Sequence, residues 1–76
     1  MREIECSLEA SNYLMDSWPY TEPILRALIA LRTSEQFPGK EIEFDLYLWE
    51  IEGHLIYYER NQHNLYILAI KPNDPN

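Results

Sequence analysis

The sequence predicts a single α+β domain in which two helices pack on a small twisted antiparallel sheet, in the order β-α-α-β-β-β. Three observations predict this class. Apolar residues recur at helical spacing up to residue 31, and they alternate at strand spacing from residue 41 onward. The length of 76 residues is sufficient for one modest core. Because neither a repeat nor a linker divides the chain, we expect residues 1–76 to form a single domain.

The first strand and the first helix are short. The segment REIECS alternates charged and apolar residues, which is typical of an edge strand. Ser7 can then cap a helix. Pro19 disfavours a helical conformation at Trp18, so this helix is predicted to end within DSWPY. Its predicted buried stripe consists of Ala10, Tyr13 and Leu14.

The second helix has the clearest pattern. Thr21 is predicted as its N-cap, and Pro23 falls in the first turn, where its missing N–H costs little. The turn signal FPGK ends the helical half of the chain. Apolar residues predicted to face the core recur along one stripe, at Ile24, Leu25, Leu28, Ile29 and Leu31.

The segment EIEFDLYL predicts a half-buried strand with an acidic outer face. The alternation changes phase at Trp49. Either a β-bulge near Leu48–Trp49 or burial of the second half of the strand on its other face would explain the change. The residues of this strand predicted to face the core are Ile42, Phe44, Leu46 and Leu48.

Two further strands complete the predicted meander. Glu52–Gly53 is expected to form a tight turn, followed by a strand over residues 55–59 and a turn at RNQHN. Residues 65–70 are apolar at every position, which predicts a central strand buried on both faces. Residues 72–76 contain two prolines and are expected to form a flexible C-terminal tail.

The composition limits the classes of function. A net charge of −7 disfavours direct binding to a polyanion and favours a basic partner, although solubility alone also explains it. Cys6 is the single cysteine, so no disulfide forms within the chain, and no zinc-type spacing is present. We expect no cofactor. The small core favours support from a partner chain or a homodimer.

The sequence also predicts the location of the protein. The N-terminal segment MREIECSLEAS lacks the pattern of a signal peptide. The longest apolar run, at residues 65–70, is far too short to span a bilayer. We therefore expect a cytoplasmic protein without membrane association.

The last third of the chain, YLWEIEGHLIYYERNQHNLYILAI, resembles the C-terminal strands of the RelE/ParE superfamily of bacterial toxin–antitoxin toxins. The helical half agrees with that superfamily in pattern only. The resemblance implies a toxin that acts on messenger RNA at the ribosome or on DNA gyrase and is neutralised by a cognate antitoxin. The matching positions are Leu48, Trp49, Glu50, Gly53, Ile56, Tyr57, Tyr58, Ile67 to Ile70 and Lys71.

Two departures from the superfamily support an alternative interpretation. Leu55 occupies the position of an arginine that stabilises the cleaved phosphate in the ribonuclease branch. The chain is acidic, whereas the family's toxins are usually basic. The alternative is a non-catalytic acidic interaction module of the same fold, which binds a basic protein or associates with itself.

Ribonuclease activity would need a proton acceptor, positive charge at the phosphate and a proton donor for the leaving oxygen. Histidines exchange protons near neutral pH, and tyrosine can stack on a base. Each candidate also fits a structural role: a solvated turn histidine, a tyrosine at the core edge or a cation paired with a carboxylate. The candidate catalytic residues are Arg60, His63, His54, Lys71 and Tyr58, of which Arg60 and His63 flank one turn.

A partner-binding surface is predicted on the acidic strand. If Leu46 and Leu48 supply the inner face, Tyr47 and Trp49 are left exposed, and exposed aromatic residues on a small domain indicate an interface. This surface would also include Glu43 and Asp45. A metal site is a third hypothesis, although its spacing is not diagnostic. Its ligands would be Glu50, Glu52 and His54.

Overall fold

The computed structural model describes residues 2–61 and 63–73. Five strands form one sheet in the order β1-β5-β4-β3-β2. Both helices contribute buried residues to a core on one face of this sheet, which confirms the predicted α+β class. The elements are β1 (Glu3–Cys6), α1 (Leu8–Asp16), α2 (Glu22–Ala30), β2 (Lys40–Glu43), β3 (Leu46–Ile51), β4 (His54–Arg60) and β5 (Asn64–Pro72).

The sheet is mixed, and not wholly antiparallel as predicted. Strand β1 pairs in parallel with β5, and Ile4 lies opposite Leu65. The other neighbouring strands are antiparallel. After the two helices the chain enters the sheet at the far edge and meanders back. Strand β5 therefore arrives beside β1 in the same direction, and β1 is an edge strand as predicted.

The sheet has one strand more than predicted, because the acidic segment folds into a hairpin. Phe44 and Asp45 form the turn between β2 and β3, with a φ of 60° at Asp45. The Glu41 carboxylate accepts a hydrogen bond from the Asp45 amide at 2.8 Å. The prediction that Ile42 and Phe44 face the core is wrong, since they are 44% and 92% exposed.

The hairpin turn also accounts for the change of phase at Trp49. Residues Leu46 to Ile51 of β3 pair with β4 without a register shift, so the bulge predicted near Leu48–Trp49 is absent from this pairing. Tyr47, Trp49 and Ile51 pack against the core. The inner-face roles predicted for Leu46 and Leu48 are therefore wrong, because these two side chains alternate with the core-packed set along the strand.

Strand β5 is an interior strand, as predicted, but only one of its faces is buried. Tyr57 lies opposite Ala69 and Tyr58 opposite Ile67, so Leu68 is the extra residue of a bulge. Tyr66 is 36% exposed on the other face. The buried residues of this strand are Leu65, Ile67 and Ile70.

Ser7 joins the first helix to this bulge. Its hydroxyl accepts a hydrogen bond from the Ala10 amide at 3.0 Å, which confirms the predicted N-cap of α1. The same hydroxyl donates to the Leu68 carbonyl at 2.7 Å. One side chain thus satisfies a helix terminus and the carbonyl of an irregular strand position.

The second helix differs from prediction in two details. Thr21 makes no side-chain cap; its hydroxyl donates instead to the Leu14 carbonyl at 2.6 Å and so joins the two helices. Ile29, predicted to widen the buried stripe, is 55% exposed. Of the other helical residues predicted to be buried, Tyr13 packs against the core and Leu25 is only half-buried. The remaining five are buried in the core, at Ala10, Leu14, Ile24, Leu28 and Leu31.

Strand β5 ends at Pro72, the residue at which the sequence predicts the flexible tail to begin. The strand continues through Pro72, which lies opposite His54, and the Asn73 amide donates to the Gly53 carbonyl at 2.8 Å. The remaining predicted tail, residues 74–76, lies outside the described residues. No helix in the part of the chain that the structure describes is long and apolar enough to cross a membrane.

Candidate functional site

The hairpin of β4 and β5 separates the predicted catalytic residues into two groups. His54 begins β4 and Arg60 ends it, so about 20 Å of extended chain lies between them. His63 lies in the loop at the Arg60 end. Lys71 lies opposite Leu55, at the same end of the sheet as His54 but on the other face. Only Arg60 and His63 share an accessible end, as their common turn predicts.

His54 is enclosed between the first helix and the turn before β4. It is 0% exposed. Its Nδ1 lies 2.8 Å from the Glu52 carbonyl, and its Nε2 lies 2.8 Å from the Tyr13 hydroxyl. Because a carbonyl only accepts, we assign the proton to Nδ1, which leaves Nε2 to accept from Tyr13. The catalytic role predicted for His54 is therefore not supported, since a substrate has no access to the ring.

The same contacts argue against the hypothetical metal site. Both ring nitrogens of His54 already have protein partners. The Glu50 carboxylate accepts a hydrogen bond from the Asn73 amide group at 2.7 Å. Among residues 2–61 and 63–73, no group of three or more histidine, cysteine, aspartate or glutamate side chains is arranged to hold a metal ion. The alternation of Glu50, Glu52 and His54 in sequence does not bring them together as ligands.

Tyr58 is also part of the core and is not available to stack on a base. It is 0% exposed, and its hydroxyl donates to the Pro38 carbonyl. The Tyr47 ring stacks on it at 5.2 Å between centroids. Burial, with a smaller contribution from Tyr47, raises the pKa of Tyr58 to about 12, and Arg60 partly opposes this rise. This hydrogen bond therefore attaches the loop that contains Pro38 to strand β4.

We expect Tyr58 to make stability depend on pH in the alkaline range. Its folded-state pKa of about 12 exceeds the usual 10.0, so the folded chain holds the phenol proton more tightly. This stabilisation is complete below about pH 10 and is lost as pH rises towards about 12. In Tyr58→Phe, the free energy of unfolding should therefore decrease less between about pH 10 and 12 than in the unmodified chain, as measured by urea unfolding at several pH values. Tyr66→Phe is the exposed control, and equal pH profiles for Tyr58→Phe and the unmodified chain would contradict the assignment.

Arg60 belongs to a cluster of stacked and paired side chains. Its guanidinium lies 4.6 Å from the centroid of the Phe37 ring and 5.8 Å from that of Tyr47. It also pairs with an Asp45 carboxylate oxygen at 3.4 Å. The guanidinium of Arg2 lies 4.6 Å from the same Phe37 ring. We call these five residues the Phe37 cluster.

The Phe37 cluster holds the loop after α2 against one end of the sheet. Arg2 donates to the carbonyls of Leu31 and Ser34, at the start of this loop. Arginine stacking on an aromatic ring contributes about 0.5–1 kcal/mol at exposed sites. A depression of about 340 Å³ adjoins the cluster and is lined by Phe37, Asp45, Arg60 and Asn61. Asp45 offsets the charge of Arg60 there, so the depression is not a strongly cationic phosphate site.

His63 is exposed beside this end of the sheet. Its amide donates to the Asn61 side-chain oxygen at 3.1 Å, and its carbonyl accepts from the Glu3 amide at 3.2 Å. Of the predicted catalytic residues, this end of the sheet thus brings together the His63 imidazole and Arg60, which is already paired with Asp45. These two side chains do not assemble the proton acceptor, phosphate charge and leaving-group donor that RNA cleavage needs.

The predicted partner surface is divided between two environments. Tyr47 and Trp49 are half-buried and pack on the core, where Trp49 meets Tyr58 edge-on at 6.5 Å. The prediction that they are left exposed is wrong, because the turn at Phe44–Asp45 directs them inward. Asp45 is half-buried beside Arg60, and Glu43 remains exposed.

Sequence reasoning missed two features of this region. Phe44 is 92% exposed at the tip of the β2–β3 hairpin. Arg2 reaches Phe37 across 35 positions of sequence, a contact that no local pattern indicates. The sequence did contain a signal for the hairpin that exposes Phe44. Aspartate tolerates a positive φ in turns, and Asp45 follows Phe44 at the position where the turn forms.

The comparisons with known proteins identify a fold. No family model matches the chain, and no curated protein matches it. Among solved structures, the chain is similar to the solution structure of the conserved hypothetical protein HP0894 from Helicobacter pylori, with a TM-score of 0.54 and 13% sequence identity. The match covers 95% of this chain and 94% of that one. The two proteins therefore share an architecture over nearly their whole lengths.

Proposed function

We propose that this chain is the toxin-like component of a type II toxin–antitoxin pair and that it acts by binding a protein target, not by cutting RNA. The RelE/ParE resemblance of the last three strands supports the first part. Those strands lie side by side in the sheet as β3, β4 and β5. A cognate antitoxin would neutralise the chain by covering the surface that meets the target.

The positions of the candidate catalytic residues carry the second part of the proposal. His54 and Tyr58 are buried, Lys71 lies at the far end from Arg60, and Arg60 is paired with Asp45. The net charge of −7 opposes approach to a polyanion. Of the two target classes that the resemblance implies, a protein such as DNA gyrase fits this charge better than messenger RNA.

A second candidate function is an interaction module of the same fold without toxicity. The sheet face opposite the helices has no covering layer among the described residues, which favours protein binding in either case. The two candidates differ in their effect on cells, because only the toxin-like component requires a vulnerable target in the bacterium.

Regulated expression in a bacterial host tests the proposal. We expect induction to arrest growth, and co-expression of an antitoxin encoded in an adjacent reading frame to restore it. The double variant Arg60→Ala with His63→Ala should still arrest growth, because binding and not cleavage is the proposed mode, and primer extension should detect no new cuts in messenger RNA.

The matched control is Ile67→Asp, which places a charge in the core and should abolish arrest by unfolding the chain. Normal growth with abundant, folded, unmodified protein would refute the toxin role and favour the non-toxic module. Arrest that is lost in the Arg60 and His63 variant, together with cleaved transcripts, would refute the binding mode.

A further inference from the structure

The face of the sheet opposite the two helices has no covering layer among the residues that the structure describes. Cross-strand partners project to the same side, so the strand register defines this outer face. One row crosses all five strands and alternates carboxylates with apolar side chains. In order from β2 to β1, the row consists of Glu43, Leu46, Glu59, Tyr66 and Glu5.

Two neighbouring rows enlarge the apolar centre of the outer face. In the first, Leu48, Tyr57 and Ala69 lie side by side on β3, β4 and β5, with Lys40 of β2 opposite Leu48 at the edge. In the second, Leu55 lies between Glu50 and Lys71. The leucines and Tyr57 are half-buried although neither of the two described helices packs over them. This face therefore combines an apolar centre with an excess of carboxylates, a composition typical of a binding surface and not of a solvated sheet face.

We propose that the outer face binds a basic amphipathic helix of a partner protein. This inference deepens the proposed function, because it names the surface and the chemistry of the partner. Apolar side chains of the helix would lie on Leu46 and Tyr66, and its lysines or arginines would pair with Glu43, Glu59 and Glu5. Charge complementarity supports this partner, since the row carries three carboxylates and the whole chain is acidic.

The spacing of the row matches the spacing of a helix. Adjacent strands lie about 4.8 Å apart, so successive carboxylates of the row are about 10 Å apart with an apolar side chain midway. A helix rises about 10.5 Å in seven residues. Basic residues at every seventh position, with leucines three and four positions after each, would therefore meet the carboxylates and the apolar side chains alternately.

A second copy of this chain fits the face poorly. Two copies packed face to face would bring their carboxylate rows together, and each molecule carries a net charge of −7. Like charges placed opposite one another in an interface oppose association. The face is complementary to a cationic partner and not to itself.

A synthetic peptide tests the proposal with the full chain. The probe is a fluorescent helical peptide with lysine at every seventh position, leucines three and four positions after each lysine, and alanine and glutamine elsewhere. We expect saturable binding by fluorescence anisotropy. The double variant Glu43→Gln with Glu59→Gln should weaken it about fivefold, since it removes two exposed charge pairs. The control, Glu9→Gln with Glu35→Gln, removes the same charge from other surfaces and should change affinity less than about twofold.

Three results would overturn the proposal. A scrambled peptide of the same composition could bind equally well, or the two double variants could weaken binding equally, and either would reduce the effect to net charge. Sedimentation could instead show a dimer that Tyr57→Ser dissociates, which would make a second copy the occupant. Growth arrest without peptide binding would refute this surface alone, whereas binding without arrest would refute the toxin role alone.

Discussion

Replacing His54 with alanine is expected to lower the free energy of unfolding by about 3 kcal/mol. The substitution leaves a cavity where a fully buried ring now packs between Tyr13 and Tyr20, whose ring centroids lie 5.6 and 5.1 Å away. It also leaves the Tyr13 hydroxyl and the Glu52 carbonyl without their partner. A chain of 76 residues has a total stability of about 4–11 kcal/mol, so the loss is a large fraction of it.

The second histidine supplies the control for this experiment. His63 is exposed, and His63→Ala should change stability by less than about 0.5 kcal/mol in the same urea titrations. Nitrogen NMR of the unmodified chain should show a proton on Nδ1 of His54, which remains measurable even if the alanine variant fails to fold. Equal stability losses for the two variants, or a proton on Nε2, would refute the structural assignment of His54.

The contrast between the two histidines shows which information the sequence lacked. Both occur beside turn residues in a polar segment, and the local pattern treats them alike. Their difference depends on Tyr13, which lies 41 positions before His54 and approaches it only when α1 packs on the sheet. A side chain's partners across such a separation are set by tertiary packing, whereas strand and helix periodicity reports only the local conformation.

The element order was predictable because its signals are local. The N-cap at Ser7, the apolar stripe of α2 and the turn at Glu52–Gly53 each depend on residues close in sequence, and all three are present. The hairpin at Phe44–Asp45 was missed because apolar alternation continues on both sides of the turn. Alternation indicates the period of a strand but not its direction, so it does not distinguish one long strand from two short ones that reverse.

The candidate site was less predictable than the fold, for a related reason. Arg60 and Tyr58 were selected for their chemistry, yet their partners Phe37 and Pro38 lie in the loop that closes one end of the sheet. A residue type indicates which chemistry is available, and its accessibility depends on what packs over it. The apolar run at residues 65–70 predicts a strand buried on both faces, whereas Tyr66 is 36% exposed on the face opposite the helices. An apolar run therefore does not report which of its faces is covered.

The loop that holds Phe37 and Pro38 depends on Gly39, and Gly39→Ala is expected to lower the free energy of unfolding by at least about 3 kcal/mol. Gly39 has a φ of 92°, and an added Cβ would lie 2.5 Å from the Leu48 carbonyl oxygen and 2.9 Å from the Trp49 Cα. Both obstacles are backbone atoms of β3, so relief requires the loop to move away from the sheet. Urea unfolding at constant pH measures the loss.

Gly53 is the matched control for Gly39. Its φ of 70° also disfavours a side chain, but an added Cβ would meet no atom within 4 Å. Gly53→Ala should therefore cost only about 1 kcal/mol, the backbone component alone. Burial is the main cause of the raised pKa of Tyr58, so displacement of the loop in Gly39→Ala should also expose this phenol and lower its pKa from about 12 towards its ordinary value. Equal losses for the two alanine variants, with the Tyr58 titration unchanged, would show that the loop does not depend on this close approach.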